Sequence, residues 1–268
     1  MNNLRVILFL ILILSVVSIV NAQDFNDAQE ALSALNKMTE CKCDTDKRAY
    51  KYFTSHPEES IPILISFTIT NEQRAFISIR ALSKIKDERV SNFLILLVSN
   101  ELQNNPNSLI SGTIAILGNY GDKSAIPVIK ESLSRLNNNS RDVDEEALCK
   151  LGEISIDELF ELRSKSKDKM LSIALSNEWV NPQFSIKMYD WIIEKIPKDK
   201  EMIYNSQKGK VSALYNLGKY ELVLEKCEII RNSFPEKIQN TTFSFEHRGF
   251  RFDEFVNFVK SKLTSNKK

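Results

Sequence analysis

Glycine is scarce in this chain: 7 residues in 268, where ordinary usage would supply roughly 19. Tight hairpin turns need residues that accept positive φ, and phosphate-cradling loops need backbone with no side chain in the way. The chain is poorly supplied for both, which argues against a β-rich fold and a nucleotide-binding loop. No GxGxxG or GxxxxGK(S/T) occurs, and Gly209-Lys210 lacks the upstream glycine of a phosphate loop. Apolar residues instead recur three to four apart almost throughout, and strict alternation is rare. The fold class this implies is all-α.

The punctuation falls where helix ends are expected. Ser55-x-x-Glu58, Thr70-x-x-Gln73 and Ser155-x-x-Glu158 have the form of capping boxes ahead of apolar-periodic runs. Gly118, Gly121, Gly152 and Gly218 stand where helices should stop. Pro57, Pro62, Pro106 and Pro127 lie near expected helix starts, where a missing N–H costs little. The spacing predicts helices near 26–38, 46–54, 58–69, 72–86, 89–102, 107–119, 124–136, 142–151, 156–165, 168–179, 183–195, 201–217, 219–233 and 252–263. Short helices joined by short loops suggest antiparallel pairs.

Internal repetition supports pairing. Ala81-Leu82-Ser83-Lys84-Ile85-Lys86-Asp87 aligns with Ile116-Leu117-Gly118-Asn119-Tyr120-Gly121-Asp122, 35 residues on, and with Ala147-Leu148-Cys149-Lys150-Leu151-Gly152-Glu153, a further 31 on. Each ends a helix on an apolar pair, turns, and sets an acid before the next helix, where it can cap the incoming N-terminus. The pattern resembles HEAT repeats of the phycobilisome-lyase-like type, over residues 45–166. A second pattern follows at 167–238. Gly218-Lys219-Tyr220, then Val223, Cys227, Ile230 and Pro235, resembles the second half of a tetratricopeptide repeat, with Tyr204 to Leu217 as its first helix. Ile186 to Pro197 looks like the end of a preceding unit. Val211 and Val223 stand where that family usually has Gly or Ala. Both resemblances imply an α-solenoid (an α-α superhelix) of stacked antiparallel helix pairs, because one hairpin cannot bury its apolar face alone. The rest of the division is a signal peptide at 1–22, an N-terminal helix and linker at 23–44, and a C-terminal capping helix and tail at 239–268. The phenylalanine-dense end, with Phe252, Phe255, Val256, Val259 and Leu263 on one stripe, suits a helix that seals the last repeat.

The N-terminus reads as an export signal. Arg5 precedes an apolar run from Val6 to Val20, and Val20-Asn21-Ala22 offers the small residues of a cleavage site. The run is shorter than the roughly 20 residues that span a bilayer comfortably, so no membrane insertion is expected after cleavage. No cysteine directly follows the cut, which argues against lipid attachment. The Ala22-Gln23 junction looks like that of an exported bacterial protein, periplasmic or extracellular. The chain holds 36 Lys+Arg against 35 Asp+Glu, and losing Arg5 balances them. That neutrality gives no electrostatic case for nucleic acid.

Chemistry-bearing motifs are few. Cys41 and Cys43 are too close for an easy bridge, while Cys149 and Cys227 fall on the apolar side of helices. The two histidines lack ligand spacing, so no metal and no cofactor is expected. His56 reads as a turn or cap residue and His247 as a surface residue, each without a nucleophile motif. Glu58/Glu59 and Asp144/Glu145/Glu146 read as first-turn acids that favour the positive helix end. The chain therefore reads as non-catalytic. The tetratricopeptide resemblance places Asn205, Lys208, Ser212 and Tyr215 on the face that binds a protein or peptide ligand. Lys208 resembles one member of that family's carboxylate clamp, with Ser212 where its Asn is expected. The alternative is a small-ligand or glycan-binding subunit of an envelope or uptake system, which needs solvent-facing Trp and Tyr in the groove, so that low accessibility of Trp179 and Trp191 counts against it. The mature protein is expected to begin at Gln23; N-terminal sequencing checks this, and a chain starting at Met1 refutes it.

Overall fold

The computed structural model describes residues 26–36, 43–71, 74–104, 108–135, 138–245 and 248–265. The expected signal peptide, Cys41 and His247 lie outside these residues. The chain divides into two compact units, residues 1–153 and 154–268. Among the described residues it is all-α apart from one two-stranded hairpin.

The first unit contains α1 (Asn26–Asn36), α2 (Cys43–Ser55), α3 (Pro57–Thr70), α4 (Ala75–Leu82), α5 (Glu88–Asn104), α6 (Ser108–Tyr120), α7 (Ile126–Arg135) and α8 (Asn138–Lys150). Helix packs on following helix in α1–α2, α3–α4, α5–α6 and α7–α8, and α6 also packs on α8. The core is mainly aliphatic, with Leu64, Leu82, Leu94, Ile114, Leu117 and Ile129 fully enclosed alongside Phe53 and Phe93.

Loop acids tie successive turns together. Asp87 accepts from the Arg89 backbone N–H at 2.8 Å, and Arg89 reaches on to Glu58 at 2.8 Å. The Tyr120 hydroxyl accepts from the Asp87 N–H and donates to the Ile85 carbonyl at 2.7 Å, with Lys86 lying over its ring. Asp122 caps the 3-10 turn Lys123–Ala125 that precedes α7 and accepts from Ser91 at 2.5 Å. The acids of the first two aligned motifs thus cap locally and also hold the neighbouring motif. The third, Glu153, pairs with Lys130, and the cap of the next helix falls to Ser155.

Several local readings need correction. Ser55 does not cap α3: its hydroxyl donates back to the Lys51 carbonyl at 2.8 Å, His56 occupies the N-cap, and Pro57 takes the first helical position. Thr70 is the last residue of α3, its hydroxyl donates to Ser66 O at 2.8 Å and Arg74 occupies the next N-cap, so Thr70 caps no helix; Gln73 lies outside the described residues. Pro62 sits inside α3, not at its start. Gly118 lies within α6 instead of ending it, while Gly121, Gly152 and Gly218 do adopt positive φ past helix ends. Helix α8 begins at Asn138, so Asp144 and Glu145 are beyond the first turn and the helix-end explanation fails for them. Both are buried. Ser132 donates to Asp144 at 2.9 Å, and desolvation, helped by neighbouring Glu145, pushes the Asp144 carboxyl up to about 6.

The second unit contains α9 (Ile156–Leu162), α10 (Lys167–Asn177), α11 (Pro182–Lys195), α12 (Lys200–Asn216), α13 (Tyr220–Ser233), a 3-10 segment Pro235–Asn240, strands β1 (Thr242–Phe245) and β2 (Arg248–Arg251), and α14 (Phe252–Ser265). The capping box at Ser155 and Glu158 is complete, with N–H to oxygen distances of 2.6 and 3.1 Å. Helices α10 to α13 pack in order, and α14 packs on α13 and the hairpin. The hairpin is absent from the sequence reading of 239–268. Its register sets Thr242 against Arg251 and Phe245 against Arg248. Phe243 and Phe245 point into an aromatic core with Tyr215, Phe252 and Phe255, while Thr242 and Ser244 point outward.

The α6–α8 crossing rests on a missing side chain. A Cβ at Gly118 would lie 2.8 Å from both Cα and Cβ of Ala147. Backbone cannot give way as a flexible side chain can, so Gly118→Ala should destabilise by about 1–3 kcal/mol. Gly249→Ala, which meets nothing within 4 Å, serves as control. Equal melting temperatures for the two variants would refute the close crossing.

Candidate functional site

Three helix caps set the frame. Ser166 caps α10, Asn181 caps α11 with Pro182 behind it, and Asp199 caps α12, accepting from Met202 N–H at 3.0 Å. The turn after α10 is then tied inward. The Ser185 hydroxyl donates to the Ala174 carbonyl at 2.7 Å, and the Asn216 amide donates to the Glu178 carbonyl at 2.8 Å. Glu178 itself is buried, and Tyr189, fully enclosed, donates to its carboxyl at 2.5 Å. The Tyr189 ring lies directly over Gly209 of α12. A Cβ there would come within 2.2 Å of the ring and 2.7 Å of the Glu178 carboxyl.

Burial pushes the Glu178 carboxyl up to about 7, against opposing pulls from the Tyr189 hydrogen bond and the Lys208 charge. Burial and the adjacent carboxyl push the Tyr189 phenol upward as well. With Glu178 turned inward, the next residue is thrown out: Trp179 is 63% exposed, and Leu175 one turn earlier is 48% exposed.

These residues border a cleft of about 540 Å³. One wall is Leu171, Leu175 and Trp179; the floor is Asn205, Lys208 and Ser212 of α12; the other wall is Thr242, Phe243 and Ser244 of β1. Of the four residues predicted from sequence, Asn205, Lys208 and Ser212 meet in this cleft. Tyr215 does not face it. It is 7% exposed and its ring sits 4.2 Å from that of Phe245, in the aromatic core. The reason is β1, which covers the last turns of α12. Trp191 is also inside, 9% exposed, with its indole N–H donated to Asp157 at 3.0 Å. Of the two tryptophans only Trp179 meets solvent.

Glu178, Leu175, Gly209 and β1 were not predicted as site elements. Gly209 carried a signal, since a glycine within a helical pattern marks close packing. Glu178 carried none, because its burial depends on Tyr189 from another helix.

No family model, curated protein or solved structure matches the chain.

Other chemistry-bearing groups lie elsewhere. A shallower recess of about 830 Å³ near Lys167, Lys195, Lys198 and Lys200 is more open, and there Lys167 pairs with Asp199 and Lys195 with Glu194. His56 stacks on Tyr52 with ring centroids 4.4 Å apart, and its Nδ1 lies 3.0 Å from Ser55 Oγ. That hydroxyl donates to main-chain carbonyls of its own helix, so it is a poor nucleophile. Among the described residues no group of three or more His, Cys, Asp or Glu could hold a metal ion, and no helix is long and apolar enough to cross a membrane. Cys149 and Cys227 are buried, and burial pushes the Cys227 thiol up to about 12. The cleft thus offers an indole face, one ammonium, and a carboxyl whose charge changes near neutrality.

The raised carboxyls have a stability consequence. Folded Glu178 keeps its proton up to about pH 7, and folded Asp144 up to about pH 6. The unfolded chain releases both near pH 4. Stability from these groups is therefore full at the acid end and lost as pH rises through 4 to 7. Gln keeps an acceptor for Tyr189 but carries no charge. Glu178→Gln should shrink the stability difference between pH 5 and pH 8 by about 1–3 kcal/mol, leaving the Asp144 share. Urea unfolding at the two pH values measures this; an unchanged difference would contradict the burial of Glu178.

Proposed function

We propose that this chain is a non-catalytic helical-repeat protein of the cell exterior or periplasm, which binds a protein or peptide in the cleft between α10, α12 and β1. In this reading the helices of each unit stack as an α-solenoid, HEAT-like in the first unit and tetratricopeptide-like in the second. Contacts at a recurring separation support the stacking. Arg89 reaches Glu58 across 31 residues, Tyr120 reaches Asp87 across 33, Trp191 reaches Asp157 across 34, and Tyr204 reaches Thr241 across 37. Such spacing fits helix pairs laid one on the next.

One observation carries the binding reading: an exposed Trp179 and Leu175 stand beside Lys208 in a concave site. Large apolar side chains left exposed around a cleft with a few polar groups are what binding sites have. Tryptophan is also the residue in which binding energy concentrates. A second reading, a small-ligand or glycan-binding subunit of an envelope or uptake system, draws on the same open indole face beside Asn205 and Ser212.

The test is a pull-down with envelope extract from the source organism, repeated with Trp179→Ala and Lys208→Glu variants whose circular dichroism matches the parent. A stoichiometric protein partner lost in both variants supports the proposal, with at least tenfold weaker affinity expected for each, about 1.4 kcal/mol. A partner retained at full affinity by both variants refutes the cleft. Quenching of Trp179 fluorescence by oligosaccharides, with no protein captured, selects the second reading.

A further inference from the structure

The hairpin that closes this cleft is unevenly protected. Strand β2 pairs with one edge of β1, and among the described residues the sheet has these two strands. In an antiparallel pair, opposed residues alternate between exchanging backbone hydrogen bonds and turning those groups away. Two of the four β1 residues therefore turn N–H and C=O away from β2.

The cleft runs beside β1. Thr242, Phe243 and Ser244 are consecutive, and all three border it. Successive side chains of a strand point to opposite faces, so a boundary that takes in three in a row includes the strand's main chain.

Exposed edges are normally blunted by charge, proline or a bulge. β2 carries Arg248 and Arg251, both exposed. β1 is Thr-Phe-Ser-Phe, with neither charge nor proline.

The facing groups define what would fit. Leu175 and Trp179 border the same cleft and keep much of their apolar surface exposed, with the Trp179 ring 6.2 Å from that of Phe245 at one end of β1. Between the walls, Lys208 makes no salt bridge among the described residues, its ammonium lying 6.0 Å from the Phe243 ring. Elsewhere in this unit Lys167, Lys210 and Lys237 each have a carboxylate partner. The acid that borders the cleft, Glu178, is already engaged by Tyr189.

We infer that the cleft takes an extended peptide as a third strand on the free edge of β1, with an acidic side chain at Lys208 and apolar side chains against Leu175 and Trp179. This rests on the cleft being the binding site. Main-chain pairing supplies affinity and alternate side chains supply selectivity, as in other strand-addition complexes. Four residues of β1 offer an edge of ~13 Å, enough for a segment of similar length.

The experiment uses the full chain and synthetic probes. The probes are acetylated, amidated heptapeptides that alternate Val or Phe with Thr and carry one central Asp. Matched peptides carry Lys in place of Asp. A third set is N-methylated at the odd or the even backbone amides. Affinity is read by fluorescence anisotropy.

The expected result is at least tenfold preference for Asp over Lys, lost in Lys208→Ala. N-methylation at one parity should weaken binding at least tenfold while the other parity is tolerated. Trp179→Ala and Leu175→Ala should each weaken binding. Asp peptides that bind in the cleft but are indifferent to N-methylation overturn strand addition and leave peptide binding standing. Equal affinity of Asp and Lys peptides overturns the role of Lys208. Binding by none of the peptides, with a protein partner still captured by the parent, overturns strand addition alone; binding by neither overturns both readings.

Discussion

Tyr189 reaches Glu178 only because residue 209 has no side chain. That approach fixes the second unit around its cleft. The Tyr189 ring fills the space over Gly209, its hydroxyl holds a carboxyl from the turn after α10, and the carbonyl of that same turn is held by Asn216 near the end of α12. Three consecutive helices are thereby tied at one buried point. A tyrosine–carboxyl hydrogen bond is well suited to this position. It satisfies two polar groups that would otherwise be costly to bury, and the carboxyl can stay neutral while making it. The outward turn of Trp179 follows from the inward turn of its neighbour, so the buried tie and the exposed binding surface are parts of one turn.

Much of the helix pattern was legible in the sequence, because helix ends are written in local chemistry. Ser155 and Glu158 need only each other and the first turn of α9 to form their box, and they do. Gly121, Gly152 and Gly218 need only to accept positive φ. The failures arise where two local signals compete or where a partner lies far along the chain. Ser55 could cap α3, but Pro57 suits the first helical position, which moves the cap to His56 and leaves Ser55 in the preceding helix. Asp144 reads as a first-turn acid until α8 is seen to begin six residues earlier. It is then a buried carboxyl held by Ser132 of α7, a role set by packing.

One omission accounts for most of what the sequence reading missed at the site. The stretch Thr-Phe-Ser-Phe alternates polar and apolar, the pattern of a half-buried strand, but four residues are too few to stand out beside the phenylalanine stripe of α14. An isolated two-stranded hairpin is marginal in water, and this one gains its stability by laying Phe243 and Phe245 onto Tyr215 and Phe255. Once β1 is in place, the predicted stripe on α12 is divided. Asn205, Lys208 and Ser212 remain on the open floor, and Tyr215, further along, is covered. The helical spacing was sound; the element that covers its end was not visible.

The cleft's electrostatics follow from the same geometry. Among the described residues that border it, Lys208 and Glu178 carry the ionisable groups. Glu178 cannot be both fully buried and comfortably charged, and its carboxyl is pushed up to about 7 as a result. Below that pH Lys208 is the uncompensated charge of the site, and above it the ionised carboxyl offsets part of the ammonium's field. An anionic group entering beside Lys208 displaces water and disfavours ionisation of Glu178 further, because a second negative charge nearby raises a carboxyl pKa. Ligand anion and proton would therefore bind together. The burial that stabilises the three-helix tie thus also biases the cleft toward anionic side chains, through a carboxyl that belongs both to the core and to the cleft wall.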